Sequence, residues 1–324
     1  MPRPKPQNQR RRNSQFQTSA VLELVFASVL WGFGFIATAW ALRAMGPLTL
    51  TGLRMFLAFG FGILICTAVP SLRRQLGWDQ FKLAFWPGLF LCATMLLQTW
   101  GLKYTTVTKS GFITTLYVLI VPLLERLILG RRIPKYHMLY VLAALLGVAL
   151  ICDLPQLFRT KALAGLDPRT VWNFGDWLTL ACAIAASFQI VWFGRIQTEI
   201  RSSFVFNVFQ TFWTGLIPFC LMFVFESLPT HLDRLSIAGM LELIIGSTMI
   251  GFSLQVRAQK KISPSVSSLI FLLESPFAAL FGFLVLNEIP TLETLIGAVI
   301  IFAALISSVI FSNEGMAKTS IAAD

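Results

Sequence analysis

Apolar residues fall in long, nearly uninterrupted runs along this chain, separated by short polar or basic stretches. A helix needs about 20 mostly apolar residues to cross a bilayer core of roughly 30 Å. Ten runs approach that length: residues 20–44, 47–69, 82–102, 107–130, 137–153, 174–194, 203–226, 236–257, 263–287 and 291–312. The fifth is short, and "MGP" is all that joins the first pair. No intervening segment is long enough to build a soluble domain. The pattern predicts an all-α integral membrane protein with ten transmembrane helices.

Composition agrees with this reading and charge adds an orientation. Of the 324 residues 56% are hydrophobic and only 13% charged, against roughly 25% charged in soluble domains. The net charge of +11 would suit a nucleic-acid partner if the basic residues shared a face. Instead they cluster between the apolar runs, in the opening "RPKPQNQRRR", at Arg73-Arg74, Arg131-Arg132 and Lys260-Lys261. The interruptions that would share a side with residues 1–19 carry most of the Lys and Arg. By the positive-inside rule both termini are then cytoplasmic, and nucleic acid is not an expected partner. Residues 1–19 lack a cleavable signal pattern and read as a disordered basic tail, with a second tail at 313–324. The five cysteines are widely spaced, without disulfide or metal-ligand spacing.

The two halves repeat at a single offset. "LTLTGLRMF" (48–56) falls on "FVFNVFQTF" (204–212), which sets Arg54 against Gln210. "LGRRIPKYHMLYVLAALLGVALI" (129–151) falls on "VLNEIPTLETLIGAVIIFAALIS" (285–307). With five spans in each copy, the second must enter from the opposite side. The expected organisation is two inverted five-helix repeats, 20–153 and 174–312, joined by an outer linker at 154–173. Inverted repeats with a midplane site between them are typical of secondary transporters.

The stretch "VLWGFGFIATAWALRAMGPLTLTGLRMFLAF" resembles the opening of an EamA-like domain of the drug/metabolite transporter superfamily. "GLKYTTVTKSGFITTLYVLIVPLLERLILGRRIP" is similar to the end-of-repeat pattern, and "LESPFAALFGFLVLNEIPTLETLIGAVII" matches it more closely. The likeness covers roughly 20–312. It implies a cavity enclosed by the first, third, fourth, sixth, eighth and ninth helices, with the fifth and tenth outside, and export or exchange of small metabolites, often amino acids. Arg131-Arg132 and Asn287-Glu288 depart from the family's usual Gly-Glu, and Pro276 is also unusual there.

Polar residues inside the spans mark the candidate site. Glu274 lies about 16 Å into the ninth run, near the midplane. A charge there costs at least ~2.5–3.5 kcal/mol, so it should face protein or a hydrated cavity. That makes Glu274 a candidate for proton coupling, and equally for pinning its helix. Pro122 and Pro276 should kink their helices. Arg54, about 10 Å inside the second run, reads as a structural charge with an unassigned partner, and Glu242 lies a turn and a half into the eighth. Ser110, Thr114 and Tyr117 share one helical face, as do Thr248, Gly251 and Gln255, and Ser267, Phe271 and Glu274. Trp31 and Thr38, Gln98, Gln189 and Trp192 complete the candidate substrate-binding set. Ser, Thr and Gly also glue helices together in lipid, so packing explains these stripes as well.

These readings exclude most chemistry. His137 and His231 sit in or beside loops, without a metalloprotease or nucleophile-elbow context, so no enzyme activity, cofactor or metal is expected. The expected function is secondary transport by alternating access across a bacterial inner membrane, of amino acids or related amphipathic solutes and in the direction of export. A flippase or carrier for a lipid-linked or larger metabolite on the same fold is the alternative. A small-molecule substrate and the bilayer are the expected partners, and a homodimer is compatible with the sequence.

Overall fold

The computed structural model describes residues 6–105, 110, 113–131, 135–151, 173–229, 231–286 and 291–321. The linker at 154–173, apart from Asn173, and both Ile-Pro turns lie outside them. All regular structure among the described residues is helical. The helices are α1 Pro6–Ala41, α2 Pro47–Ala68, α3 Pro70–Arg73, α4 Trp78–Leu83, α5 Phe85–Gly101, α6 Tyr117–Leu129 and α7 Lys135–Ile151. After the linker come α8 Phe174–Ile196, α9 Ser203–Phe225 and α10 Arg234–Leu241, then a π-helix Glu242–Gly251. α11 Phe252–Gln259, α12 Pro264–Phe271, α13 Glu274–Leu286 and α14 Leu292–Ile321 complete the chain. Among the described residues, six segments are long and apolar enough to cross a membrane: Thr18–Ala41, Pro47–Ala68, Phe174–Ile196, Ser203–Phe225, Arg234–Gln259 and Pro264–Val285.

Local chemistry sets the ends. Pro47 and Pro264 occupy first-turn positions, where their missing N–H is no loss. Ser202, Asp233 and Ser263 cap α9, α10 and α12 through side-chain oxygens, and Asn173 with Asp176 forms a capping box on α8. The N-terminus of α2 is capped from a distance, as Leu48 and Thr49 N–H donate to the Glu226 carboxylate at 3.1 and 2.9 Å. Gly130, at φ 66°, closes α6 in the left-handed region. Helix runs into both expected tails: α1 begins at Pro6, within the stretch expected to be disordered, and α14 extends to Ile321. The Gln- and Arg-rich start is a good helix former once nucleated by the apolar helix behind it.

Packing rests on small residues that let backbones approach. A Cβ on Gly52 would lie 2.8 Å from Phe219 Cα, and one on Gly215 would lie 2.7 Å from Met55 Cβ, while Gly62 faces Val208. As α2 numbers rise the α9 partners fall, so this pair is antiparallel. α5 and α8 also cross antiparallel, through Gly101 against Gly175 at one end and Phe90 and Trp86 against Phe188 and Trp192 further along. α7 packs on α14, where Gly147 meets the Gly297 carbonyl. Leu139, Leu142, Leu146, Leu295 and Val299 on this pair are exposed, as suits contact with lipid tails.

Two helical rods are interrupted midway. A turn at Leu272–Leu273 separates α12 from α13, with the Leu272 and Leu273 N–H groups donating to Leu269 and Ile270 carbonyls. Pro276 therefore sits in the first turn of a new helix, where it breaks no ladder. The equivalent interruption is at Leu116, before α6, tightened by Leu116 N–H to Ile113 O and Leu119 N–H to Leu116 O. Pro122 lies inside α6, which continues through it.

Candidate functional site

Between the helices lies a cavity of about 120 Å³, several times the roughly 10–15 Å³ that one water needs. α1 contributes Trp31, Gly34, Phe35 and Thr38, and α5 contributes Leu91, Thr94, Met95 and Gln98, each set following one helical face. Ala186, Gln189 and Ile190 come from α8, Leu243 and Ser247 from the π-helix, and Phe252 and Gln255 from α11. Thr114, Tyr117, Phe271, Glu274 and Arg54 complete the wall. The α1 and α5 residues sit toward the C-terminal ends of their helices, and Arg54 lies in the first half of α2. Gln189 and Gln255 lie in the opposite halves of their spans, so the cavity runs from the face where α1 ends and α2 begins past the middle of the bundle.

The opposite face is cross-linked. Arg257 Nε donates to the Glu23 carboxylate at 2.9 Å, with Lys261 Nζ 3.6 Å from the same group. Lys260 Nζ donates to Ile200 O at 2.7 Å, and Gln80 bonds Glu199 O and Arg201 N. Glu125, only 2% exposed, accepts from the Ser265 N–H and hydroxyl.

Glu274 sits at the helix interruption, on the cavity wall. No hydrogen bond joins its carboxyl to another described residue, and Tyr117 and Cys182 are the titratable groups that feel its charge. Nearby, Tyr117 Oη, Gln189 Nε2 and Gln255 Oε1 are buried without partners, although Gln255 Nε2 does donate to Gln189 Oε1 at 3.3 Å. Unpaired buried polar atoms around a cavity mark places where water or solute completes the bonding. Arg54 is differently placed. Its Nε donates to Thr248 Oγ1 at 2.8 Å, and the charge it feels is that of Glu242. Glu242 in turn accepts from Ser247 Oγ at 3.0 and 3.2 Å. Trp31 Nε1–H donates to Ser247 O at 3.1 Å and its ring meets Phe252 and Phe271, each at 5.2 Å.

Trp31, Thr38, Gln98, Thr114, Tyr117, Gln189, Gln255, Phe271 and Glu274 thus share one wall, and Arg54 joins them. Four other candidates lie off the lining. The Ser110 hydroxyl is 3.3 Å from Thr179 Oγ1, in the packing against α8. Trp192 packs at a tilt against Trp86 and edge-on to Phe90, and lies under Arg195. Ser267 Oγ donates to Ser263 O within its own helix. Thr248 is spent on Arg54, and Ser247 takes its expected place at the cavity. The reason is the π-helix, whose wider turn rotates the face that α-helical spacing assigns. Leu91, Met95, Leu243 and Phe252 join the wall from apolar positions that gave no signal of their own, while Thr94 comes in with Gln98 from the polar face of the third span. Among the described residues, no three His, Cys, Asp or Glu side chains gather as a metal set.

A chain whose described regular structure is helical, with several membrane-length apolar helices around a cavity of mixed apolar and polar lining, is a multi-pass membrane protein. The EamA-like transporter family model matches residues 18–152 and again 173–310, so the chain belongs to that family, within the drug/metabolite transporter superfamily. It is 29% identical to an uncharacterized transporter of Archaeoglobus fulgidus over 290 residues, covering 89% of this chain and 84% of the relative. It is 27% identical to protein PecM of Dickeya dadantii over 282 residues, 87% of this chain and 89% of PecM. The fold is also that of a solved crystal structure, with a TM-score of 0.71 at 19% identity, covering 89% of this chain and 96% of that one.

Proposed function

We propose that the protein is a secondary transporter that moves amino acids or related amphipathic solutes, in the direction of export, by alternating access of the central cavity. The observation that carries this is the cavity itself, with an uncompensated carboxylate and unpaired polar atoms where two interrupted helices meet. Midplane sites formed by discontinuous helices are the pattern of secondary transporters.

Two inverted halves of five membrane-crossing helices fit the packing. α2 and α9 are equivalent in the sequence repeat and pack antiparallel. A two-fold that exchanges antiparallel partners runs perpendicular to their axes, hence in the membrane plane. Leu116 and Leu272, where the rods are interrupted, are equivalent at the same offset. With cytoplasmic termini in the inner membrane, the cross-linked face carrying Glu23, Glu125 and Arg257 is the cytoplasmic one. Alternating access then requires those links to part. Glu274 is the residue proposed to carry a coupled proton.

The test is flux in proteoliposomes with a panel of amino acids and amphipathic metabolites, with and without a pH gradient. Solute movement that a pH gradient drives in the parent, and that Glu274→Gln uncouples while leaving exchange, is the expected result. Flux indistinguishable from empty liposomes across the panel overturns the transport reading.

A further inference from the structure

We propose that the cavity recognises its solute through a protonated amine set against an apolar body, and leaves the anionic end of a zwitterion unpaired. This deepens the transport reading and rests on it. The starting point is the balance of formal charge on the described wall. Arg54 and Glu274 are its two charged residues, and they are not equally available.

The guanidinium is committed. Thr248 takes its Nε–H, Glu242 supplies a counter-charge from the neighbouring π-helix, and Arg54 is only 9% exposed. A carboxylate arriving there competes with a charge already in place. Glu274 has neither a hydrogen-bonding partner among the described residues nor a cation beside it. The donors left over, Tyr117 Oη and Gln189 Nε2, are neutral. They suit a carbonyl or hydroxyl on the solute, but they do not offset a full negative charge removed from water.

The apolar part of the wall points the same way. Trp31, Phe252 and Phe271 cluster together, and Phe271 lies one turn before Glu274 on the same side of the interrupted rod. An ammonium is attracted both to a carboxylate and to aromatic faces, whereas a carboxylate is repelled by both. The Gln255 Oε1 atom, also unpaired, adds a neutral acceptor for an N–H.

The test is a matched ligand series on the purified full-length protein in lipid nanodiscs, with binding read from tryptophan fluorescence. Phenylethylamine and phenylalanine amide carry only the amine, phenylalanine carries both charges, and N-acetylphenylalanine and 3-phenylpropionate carry only the carboxylate. The amines are expected to bind at least as well as phenylalanine and about tenfold or more tighter than the anions. Glu274→Gln should remove that preference. Equal binding of anions, about tenfold loss on removing the carboxylate from phenylalanine, or no amine binding at all overturns the proposal. A parallel flux assay separates the two readings. Anion-selective flux sinks the amine rule and leaves transport standing, while amine binding without flux does the reverse.

Discussion

Glu125 on α6 and Ser265 on α12, far apart in sequence, are joined by two hydrogen bonds to one carboxylate oxygen. Oε2 accepts from the Ser265 N–H at 2.9 Å and from its hydroxyl, while Oε1 lies 3.3 Å from Arg131 Nη1. The carboxylate satisfies an N-terminal N–H of α12, where helix geometry favours negative charge. It also ties together the ends of two interrupted rods that the proposed topology places toward the cytoplasm. Glu125→Ala should cost about 1.5–3 kcal/mol, the range for hydrogen bonds to a charged group. Hydrogen exchange at the Ser265 and Val266 amides should speed up more than at the α9 core. Unchanged protection there would show that the link holds nothing.

The close crossing of α2 on α9 predicts a contrast between two glycines of one helix. Gly52→Val places atoms against the Phe219 backbone and should destabilise by about 1–3 kcal/mol. Gly60 has nothing within 4 Å of its added Cβ, so Gly60→Ala should be neutral or gain up to ~1 kcal/mol from helix propensity. Thermal unfolding in one detergent compares them directly. Equal behaviour at both positions would remove the close-approach account.

Arg54 and Glu242 should behave as a unit. Arg54→Met removes the counter-charge of the half-buried Glu242 carboxylate and should cost about 1–3 kcal/mol. Adding Glu242→Gln should recover most of that loss, with amine binding retained. Additive losses in the double variant would mean that the guanidinium serves something other than Glu242.

The turn of the π-helix predicts a labelling pattern. In a background without the five native cysteines, a cysteine at Ser247 should react with a small water-soluble thiol reagent. One at Thr248 should be protected by its packing against Arg54. Reversed reactivity would restore the α-helical register.

Much of the fold was legible because bilayer thickness and backbone hydrogen bonding leave a chain few options. The runs ending at 69, 226 and 257 stop within two residues of the helix ends at Ala68, Phe225 and Gln259, and Pro47 and Pro264 mark starts through their missing N–H. The wall was partly legible too, since Trp31 and Thr38, or Phe271 and Glu274, follow α-helical spacing on one face. What the chain hid is non-local or non-ideal. Arg54 finds Glu242 and Thr248 only once α2 and the π-helix are packed. Thr248 was assigned to the cavity because spacing arguments assume 3.6 residues per turn, and nothing in "ELIIGSTMIG" announces a wider one. The break at Leu272 falls in an apolar stretch whose visible irregularity, Pro276, lies a turn further on.

That break has a mechanical consequence. A continuous rod through the bilayer transmits tilt from one end to the other, so loosening one surface strains the opposite one. With the backbone ladder relaxed at Leu272–Leu273 and again at Leu116, the segment tied to Glu125 can swing while Glu274–Leu286 stays seated on α1. In the proposed transport cycle these breaks make an articulated pair of levers whose elbows line the cavity, so that contacts made there by a solute set which way the levers lean.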